Sequence, residues 1–458
     1  MNSIKDMERP AWARPRRERH PFIMLVVTTF TLIFFTYWAF AGAVPFEGSF
    51  KKPLRFTENG TFQISIFEDL HFGEGVSALV ALRDFNADTS IIVAWLDWGP
   101  VQNDNSTIVM NRVLDAEKQQ LVVINGDLIT GDDTFLENST YYLDQVVEPM
   151  VCRGLSWAST YGNHDGQFNL SGKALLARER QWPNSRTTQM VSGEGIGVTN
   201  YYLPVYGKNC TSKLHEICTP ALLLWFFDSR GGWEFQQKDT LGNLIGRKNW
   251  VDEKVVNWFK NTSSSLSHLH NKTIPSIAFV HEPIHASKAF QTQQGVDPNR
   301  QPGINDDVPL AAQADGWCPD GSNSDECDYG GQDISFMEAL ASTPGLMAVF
   351  SGHDHGITWC YKWNKTIHGT TVAGNGLNLC FGQHTGYGGY GTWTRGSRQI
   401  LLTEAMLETF EAETWIRLEK GEIVGHVSLN STYGEDEYPA TPNWHSSGPD
   451  EEYTVDLT

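Results

Sequence analysis

The sequence predicts an α/β protein behind an N-terminal transmembrane helix. Three observations predict it. Short apolar runs alternate with amphipathic stretches, Asp, Asn or His recurs just past the ends of those runs, and residues 21–46 carry no charge. The chain has 458 residues, 40% of them hydrophobic, which is enough for a sizeable core and excludes a disordered or collagen-like chain. Acidic residues outnumber basic ones 54 to 34, for a net charge of −20. Phosphate backbones repel such a surface, so no nucleic-acid binding is expected.

Residues 1–20 form a basic leader with net charge +3. Within 21–46, the 23 residues Phe22–Val44 are uncharged, and as a helix they span a ~30 Å hydrocarbon core. The basic side precedes them, so a single-pass type II topology follows: a signal anchor in the lipid bilayer and a lumenal or extracellular domain beyond it. The competing reading is a secreted protein cleaved near Ala39-Phe40-Ala41; the length of the apolar run favours the anchor. Nine Asn-x-Ser/Thr sites follow the anchor: Asn59, Asn105, Asn138, Asn169, Asn209, Asn261, Asn271, Asn364 and Asn430. Together they predict a glycoprotein of the secretory route. All seven cysteines also follow it. Cys210/Cys218, Cys318/Cys327 and Cys360/Cys380 are spaced to close small loops and are candidate disulfides, with connectivity open. Cys152 is left over and reads as a buried free thiol.

The domain proper is expected over 47–432. Thr61–Phe67 alternates at period two and reads as a strand. Gln120–Asn125, Ala221–Asp228, Pro275–Val280 and Met347–Ser351 are short apolar runs of buried-strand type. Helices are expected at Ser106–Lys118, Thr140–Val151, Ser171–Arg180, Trp250–Leu269 and Ser335–Ser342. That alternation argues for an α/β core. The later runs RQILLTEA, TWIRLE and GHVSLN suggest a second, more antiparallel sheet. Residues 433–458 are acidic and rich in Pro, Gly and Ser, and are expected to be a flexible tail.

The chemistry gathers where strands end. Glu68-Asp69-Leu70-His71, Asn125-Gly126-Asp127, Tyr161-Gly162-Asn163-His164-Asp165, Val280-His281-Glu282-Pro283 and Ser351-Gly352-His353-Asp354-His355 each follow an apolar run. Open α/β sheets place their ligands there. Any one block is commonplace; five in series are not. They offer His nitrogen and Asp or Asn oxygen without thiolate, a set that suits Fe, Zn or Mn. The donors suffice for two divalent or trivalent ions, the apparatus for in-line displacement at phosphorus.

These five blocks, with the pieces INGDLITG, TYGNHD, FDSRGG, GINDD and FGQHTGYGGYG, resemble the calcineurin-like metallophosphoesterase superfamily from about Phe62 to Leu429. Within it they are most similar to fungal members related to purple acid phosphatases. The resemblance implies a four-layer α/β/β/α sandwich and a phosphoric ester hydrolase, with hydroxide attacking phosphorus between two ions. It implies that Asp69, His71 and His355 hold one ion, that Asn163, His281 and His353 hold the other, and that Asp127 bridges them. His164 is expected beside the phosphate, to stabilise it or protonate the leaving oxygen, with Asp165 orienting its imidazole. Arg230 and His384 are candidates to reach substrate, against equally simple readings as a turn brace and a packed loop residue. Asp354, Glu68 and Glu282 read as neighbours of ligands or as solvated groups.

Two departures stand out. Purple enzymes carry a Tyr ligand three residues after the bridging Asp, where this chain has Thr130. Residues 75–94 separate the first block from WLDWGP, where family members run on almost directly; a loop and retained unspliced sequence are both open readings. Phosphomonoester hydrolysis, including action on phosphoproteins, is the expected activity. The alternatives are a phosphodiesterase acting on a nucleotide or lipid diester and a non-catalytic binding protein on the same scaffold.

Overall fold

Two sheets pack face to face, each covered on its outer face by helices. The computed structural model describes residues 51–75, 89–211, 218–324, 326–368 and 370–455, with the backbone alone over 89–98. The anchor expected over 21–46 lies outside the described residues, among which no helix is long and apolar enough to cross a membrane. Most of the 75–94 stretch also lies outside them.

The strands in chain order are β1 (Leu54–Arg55), β2 (Thr61–Phe67), β3 (Leu121–Asn125), β4 (Trp157–Thr160), β5 (Tyr201–Tyr206) and β6 (Pro220–Phe227). A short hairpin, β7 (Trp233–Lys238) and β8 (Leu244–Gly246), precedes β9 (Ser276–Val280), β10 (Leu346–Ser351), β11 (Cys360–Trp363) and β12 (Leu377–Phe381). β13 (Gly396–Thr403), β14 (Ala412–Leu418), β15 (Ile423–Leu429), β16 (Trp444–His445) and β17 (Thr454–Val455) complete the set. The helices are α1 (Thr89–Ala116), α2 (Leu136–Arg153), α3 (Gly172–Glu179), α4 (Glu253–His270), α5 (His285–Ala289, running on as a π-turn to Gln294), α6 (Ile334–Ser342) and α7 (Glu404–Glu408).

One sheet runs β1-β5-β6-β9-β10-β12-β11 and the other β15-β14-β13-β2-β3-β4. Side-chain alternation sorts each strand between two cores. On β6, Leu222, Leu224 and Phe226 face the opposite sheet with Phe62, Ile64 and Ile66 of β2. Leu223, Trp225 and Phe227 face outward onto Val255, Val256 and Phe259 of α4 and onto Phe336 and Leu340 of α6. On the other flank Val122 and Ile124 of β3 bury Met110, Leu143, Val147 and Leu175 of α1–α3. The layers are therefore α/β/β/α.

The C-terminal strands lie in the second, more antiparallel sheet, as expected, but β2, β3 and β4 belong to the same sheet. β13 pairs antiparallel with β2, opposing Ile400 to Ile64, while β2, β3 and β4 pair in parallel. Long-range pairing of β2 with β13, far apart in the chain, decides this, and local pattern carries no trace of it. The expected flexible tail is also packed. β16 pairs with β17, Tyr387 Oη lies 3.2 Å from Ser446 Oγ, and Arg112 bonds the Pro449 carbonyl at 2.7 Å.

Disulfides join Cys210–Cys218, Cys318–Cys327 and Cys360–Cys380, the last across directly opposed positions of β11 and β12. Cys152 is free but exposed rather than buried. The buried stripe of α2 runs through Leu143, Val146, Val147 and Met150, and a 3.6-residue period turns position 152 away from it. All nine glycosylation-type asparagines are exposed or half-buried.

Candidate metal centre

The C-terminal ends of β2, β3 and β4 in one sheet meet those of β9 and β10 in the other. The five expected blocks sit on those five ends. Backbone bonds tie the blocks together: His71 N to Asp127 O at 3.0 Å, and Gly352 N to His281 O at 3.0 Å. One bond crosses between sheets, from His353 N to Asp69 Oδ1 at 3.1 Å. Asp69, His71, Asp127 and His353 all have φ between 49° and 76°, a left-handed conformation that costs an L residue free energy and persists where surroundings enforce it. Glycines make the close approach possible. A Cβ at Gly126 would meet His281 Nδ1 at 2.2 Å, and one at Gly162 would meet Asp127 Oδ1 at 2.3 Å.

Three compact groups result: Asp69 with His71 and His355, His71 with Asp127 and His164, and Asp127 with His281 and His353. Asp127 is shared. Its Oδ2 lies 2.9 Å from His281 Nε2 and 3.9 Å from His71 Nε2, and its Oδ1 accepts from His164 N at 2.9 Å. The 2.9 Å contact lacks hydrogen-bond alignment, because His281 Nε2 has no bonded partner. Two donors converging on one cation have that geometry.

The imidazoles are oriented from behind. His71 Nδ1 is 3.2 Å from Thr130 Oγ1, His281 Nδ1 is 2.8 Å from Asn125 O, and His355 Nδ1 is 2.7 Å from Tyr390 O. Carbonyl acceptors take the Nδ1 hydrogen bond in the last two and so turn both Nε2 atoms inward, the orientation ligand histidines use. Burial and the neighbouring His164 pull His71 down to about 3, and burial with His281 does the same to His353. Both rings are therefore neutral donors near pH 7. His71 Nε2 and His355 Nε2 face each other at 3.3 Å, and Asn163 Oδ1 is buried without a partner. Two cations, one in the Asp69–His71–His355 group and one in the Asp127–His281–His353 group, would satisfy these atoms, so the residues fit two metal ions.

The acids argue alike. Burial pushes the Asp69 carboxyl up to about 7, and Glu68, Glu282 and Asp354 well above the carboxylate range. Buried acids in this number need positive charge nearby or their protons. Glu68, Glu282 and Asp354 are thus buried neighbours of the ligand positions rather than solvated groups.

Other expected residues fall elsewhere. Asp165 does not touch the His164 ring. It accepts from Leu128 N, Ile129 N and Gly162 N at 2.9–3.3 Å and so clamps the β3 and β4 loops. The acid beside His164 is Asp132, at 3.6 Å from Nδ1, which no motif marks because it arrives through loop folding. Arg230 does not face the centre. It bonds the Trp250 and Gly195 carbonyls at 2.7 and 2.8 Å and pairs with Asp252 at 3.2 Å. His384 is buried, its ring 3.7 Å from the His355 ring and its Nε2 3.1 Å from Gly388 O, and it backs a candidate ligand. Sequence reasoning also missed Tyr390, whose ring stacks on His355 at 4.1 Å and whose hydroxyl meets His355 N and Asp307.

A groove of about 1060 Å³ opens beside the centre, with Asn163 and His353 on its wall.

Over residues 69–356 the chain matches the family described as calcineurin-like phosphoesterase. It is 26% identical to the "Probable inactive purple acid phosphatase 29" of Arabidopsis thaliana over 77% of this chain and 79% of that one. It is also 26% identical to "Phosphatase DCR2" of Saccharomyces cerevisiae, over 83% of this chain but 57% of the yeast protein. Among solved structures, a dimetal phosphatase from Danio rerio aligns over 81% of this chain and 98% of that one, at TM-score 0.44 and 12% identity.

Proposed function

From the premise that this chain belongs to the calcineurin-like phosphoesterase family, we propose that it is a two-metal phosphomonoesterase. The observation that carries the reading is the set of inward, unsatisfied donors around the shared Asp127. Asp69, His71 and His355 would hold one ion, and Asn163, His281 and His353 the other. Such ions supply Lewis-acid stabilisation at phosphorus and lower the pKa of water. The chain's own residues do the rest. Asp165 holds two loops in register, and the half-exposed His164 presents an imidazole to the leaving oxygen for protonation. Thr130 takes the place of the tyrosine ligand of purple enzymes, and its hydroxyl orients His71 instead. A metal centre without tyrosinate would be colourless in the visible charge-transfer region.

Some relatives are named inactive, which keeps the non-catalytic reading as an outcome of the test. The nine surface asparagines and the charge-free run at 21–46 support a membrane-anchored glycoprotein on the secretory route. The deciding experiment measures metal stoichiometry and the hydrolysis of an aryl phosphate monoester against a bis-aryl diester. Two ions per chain with monoester turnover support the reading. Two ions with no turnover support the binding protein, and turnover of the diester alone supports the phosphodiesterase.

A further inference from the structure

Arg230, whose Nε and Nη1 bond the Trp250 and Gly195 carbonyls, is not on the groove wall, so another group must recognise phosphate charge there. Arg247 follows β8, and its backbone N donates to Gly232 O at 2.8 Å. Gly232 in turn abuts the Asn163 segment, because a Cβ there would meet Asn163 O at 2.3 Å. The Arg247 side chain passes Gly166, the residue after Asp165, so closely that a Cβ on Gly166 would lie 1.8 Å from Nη1. Gly166 does not have a positive φ. Its lack of a side chain therefore serves space, and the guanidinium takes that space.

Arg247 is half-buried between two cavities, one lined by Gly166 and Asp165 and the other the groove that contains Asn163 and His353. Among the described residues, no acid, carbonyl or ring holds its guanidinium. The other cation on the groove wall, Lys288, is bound to Asp315 at 2.8 Å. The groove thus offers one uncommitted planar donor fork, the group best matched to phosphate oxygens. A phosphomonoester has three non-bridging oxygens and two negative charges, whereas a diester has two such oxygens and one charge. The third oxygen is found only on the monoester, and a donor fork beyond the candidate metal ligands would serve it.

We infer that Arg247 is the phosphate-recognition residue of this site and gives it preference for dianionic monoesters. The inference rests on the phosphomonoesterase reading above and is tested separately from it by binding. The metal-loaded full chain is titrated calorimetrically with orthophosphate and with dimethyl phosphate, as wild type, Arg247→Ala, Arg247→Lys and Gly166→Ala. Losing a charge-assisted fork should weaken orthophosphate by about 10- to 100-fold in Arg247→Ala. Dimethyl phosphate should barely change, and Arg247→Lys should recover part of the loss. Gly166→Ala should follow Arg247→Ala, since its methyl group displaces the guanidinium; should it not fold, the Arg247 variants decide alone. Orthophosphate affinity unchanged in Arg247→Ala, with metal content and melting temperature intact, overturns the inference. So does a wild type that binds no orthophosphate, or equal weakening of both probes. Wild-type hydrolysis of the diester alone would instead sink the phosphomonoesterase reading, whatever the titrations give.

Discussion

The two candidate ion positions share Asp127 and each has a buried, braced histidine, yet they differ in exposure. At the first, Asp69, His71 and His355 are each no more than 4% exposed. Thr130 and Tyr390 orient the two imidazoles, and the Gly/Tyr-rich loop closes over them; a Cβ at Gly389 would meet His355 Cε1 at 2.4 Å. At the second, Asn163 and His353 are half-buried and border the groove, and Asn163 Oδ1 has no partner. A closed, braced position resists exchange and fixes geometry. An open one with a spare donor admits substrate. The contrast teaches what to test: rigidity is expected on one side and access on the other.

The shared acid is where this contrast should break most completely. Asp127→Asn removes charge from between two cations and should lose metal from both positions, with activity falling on the order of 10³-fold or more. Near-normal turnover with full occupancy by elemental analysis would show that Asp127 does not link them.

His164 sits at the open side and is expected to act on substrate without holding an ion. His164→Ala should slow alkyl ester hydrolysis by ~10²–10⁴-fold, and aryl esters with good leaving groups less. Metal stoichiometry should stay at two. Loss of an ion would count His164 as a ligand, in line with its grouping with His71 and Asp127.

Bracing is tested at the closed side by Thr130→Val. Removing a group that orients a ligand ring should weaken metal binding there by about 10- to 100-fold, leaving the second position nearly unchanged. Competition with a chelator, followed position by position, would reveal equal loss at both and so erase the distinction.

The smallest functional effect should come from Arg230→Gln. Its guanidinium braces Gly195, Trp250 and Asp252, so stability should drop by about 2 kcal/mol in denaturant unfolding. KM should not move. A raised KM without destabilisation would return Arg230 to the substrate site.

Much of the centre was legible along the chain. Asp69, His71, Asp127, Asn163, His281, His353 and His355 each stand within a few residues of an apolar run. Parallel strands of an α/β fold share one polarity, so residues just past their ends gather at one edge. The cysteine pairs were legible for a similar reason, because short separations leave few partners. Helix limits were less so: α1 begins 17 residues before the expected Ser106 and carries Pro100 inside it.

Sequence by itself determined the residue types, their order and the strand ends that carry them, since period-two burial and short apolar runs are local properties. Tertiary structure alone decided which neighbours serve those residues. Asp165 lies next to His164 in sequence, yet its carboxylate turns back to three backbone amides, and Asp132 comes to the ring from another loop. Arg230 lies in a conspicuous motif and is occupied by carbonyls, whereas Arg247 reaches the groove from a hairpin with no motif at all. β13–β15 read as a second, antiparallel sheet, and pairing with β2 brings β2–β4 into it. In each case the outcome depends on how segments far apart in the chain close upon one another. Loop closure and sheet pairing set that, and no window of sequence contains both partners.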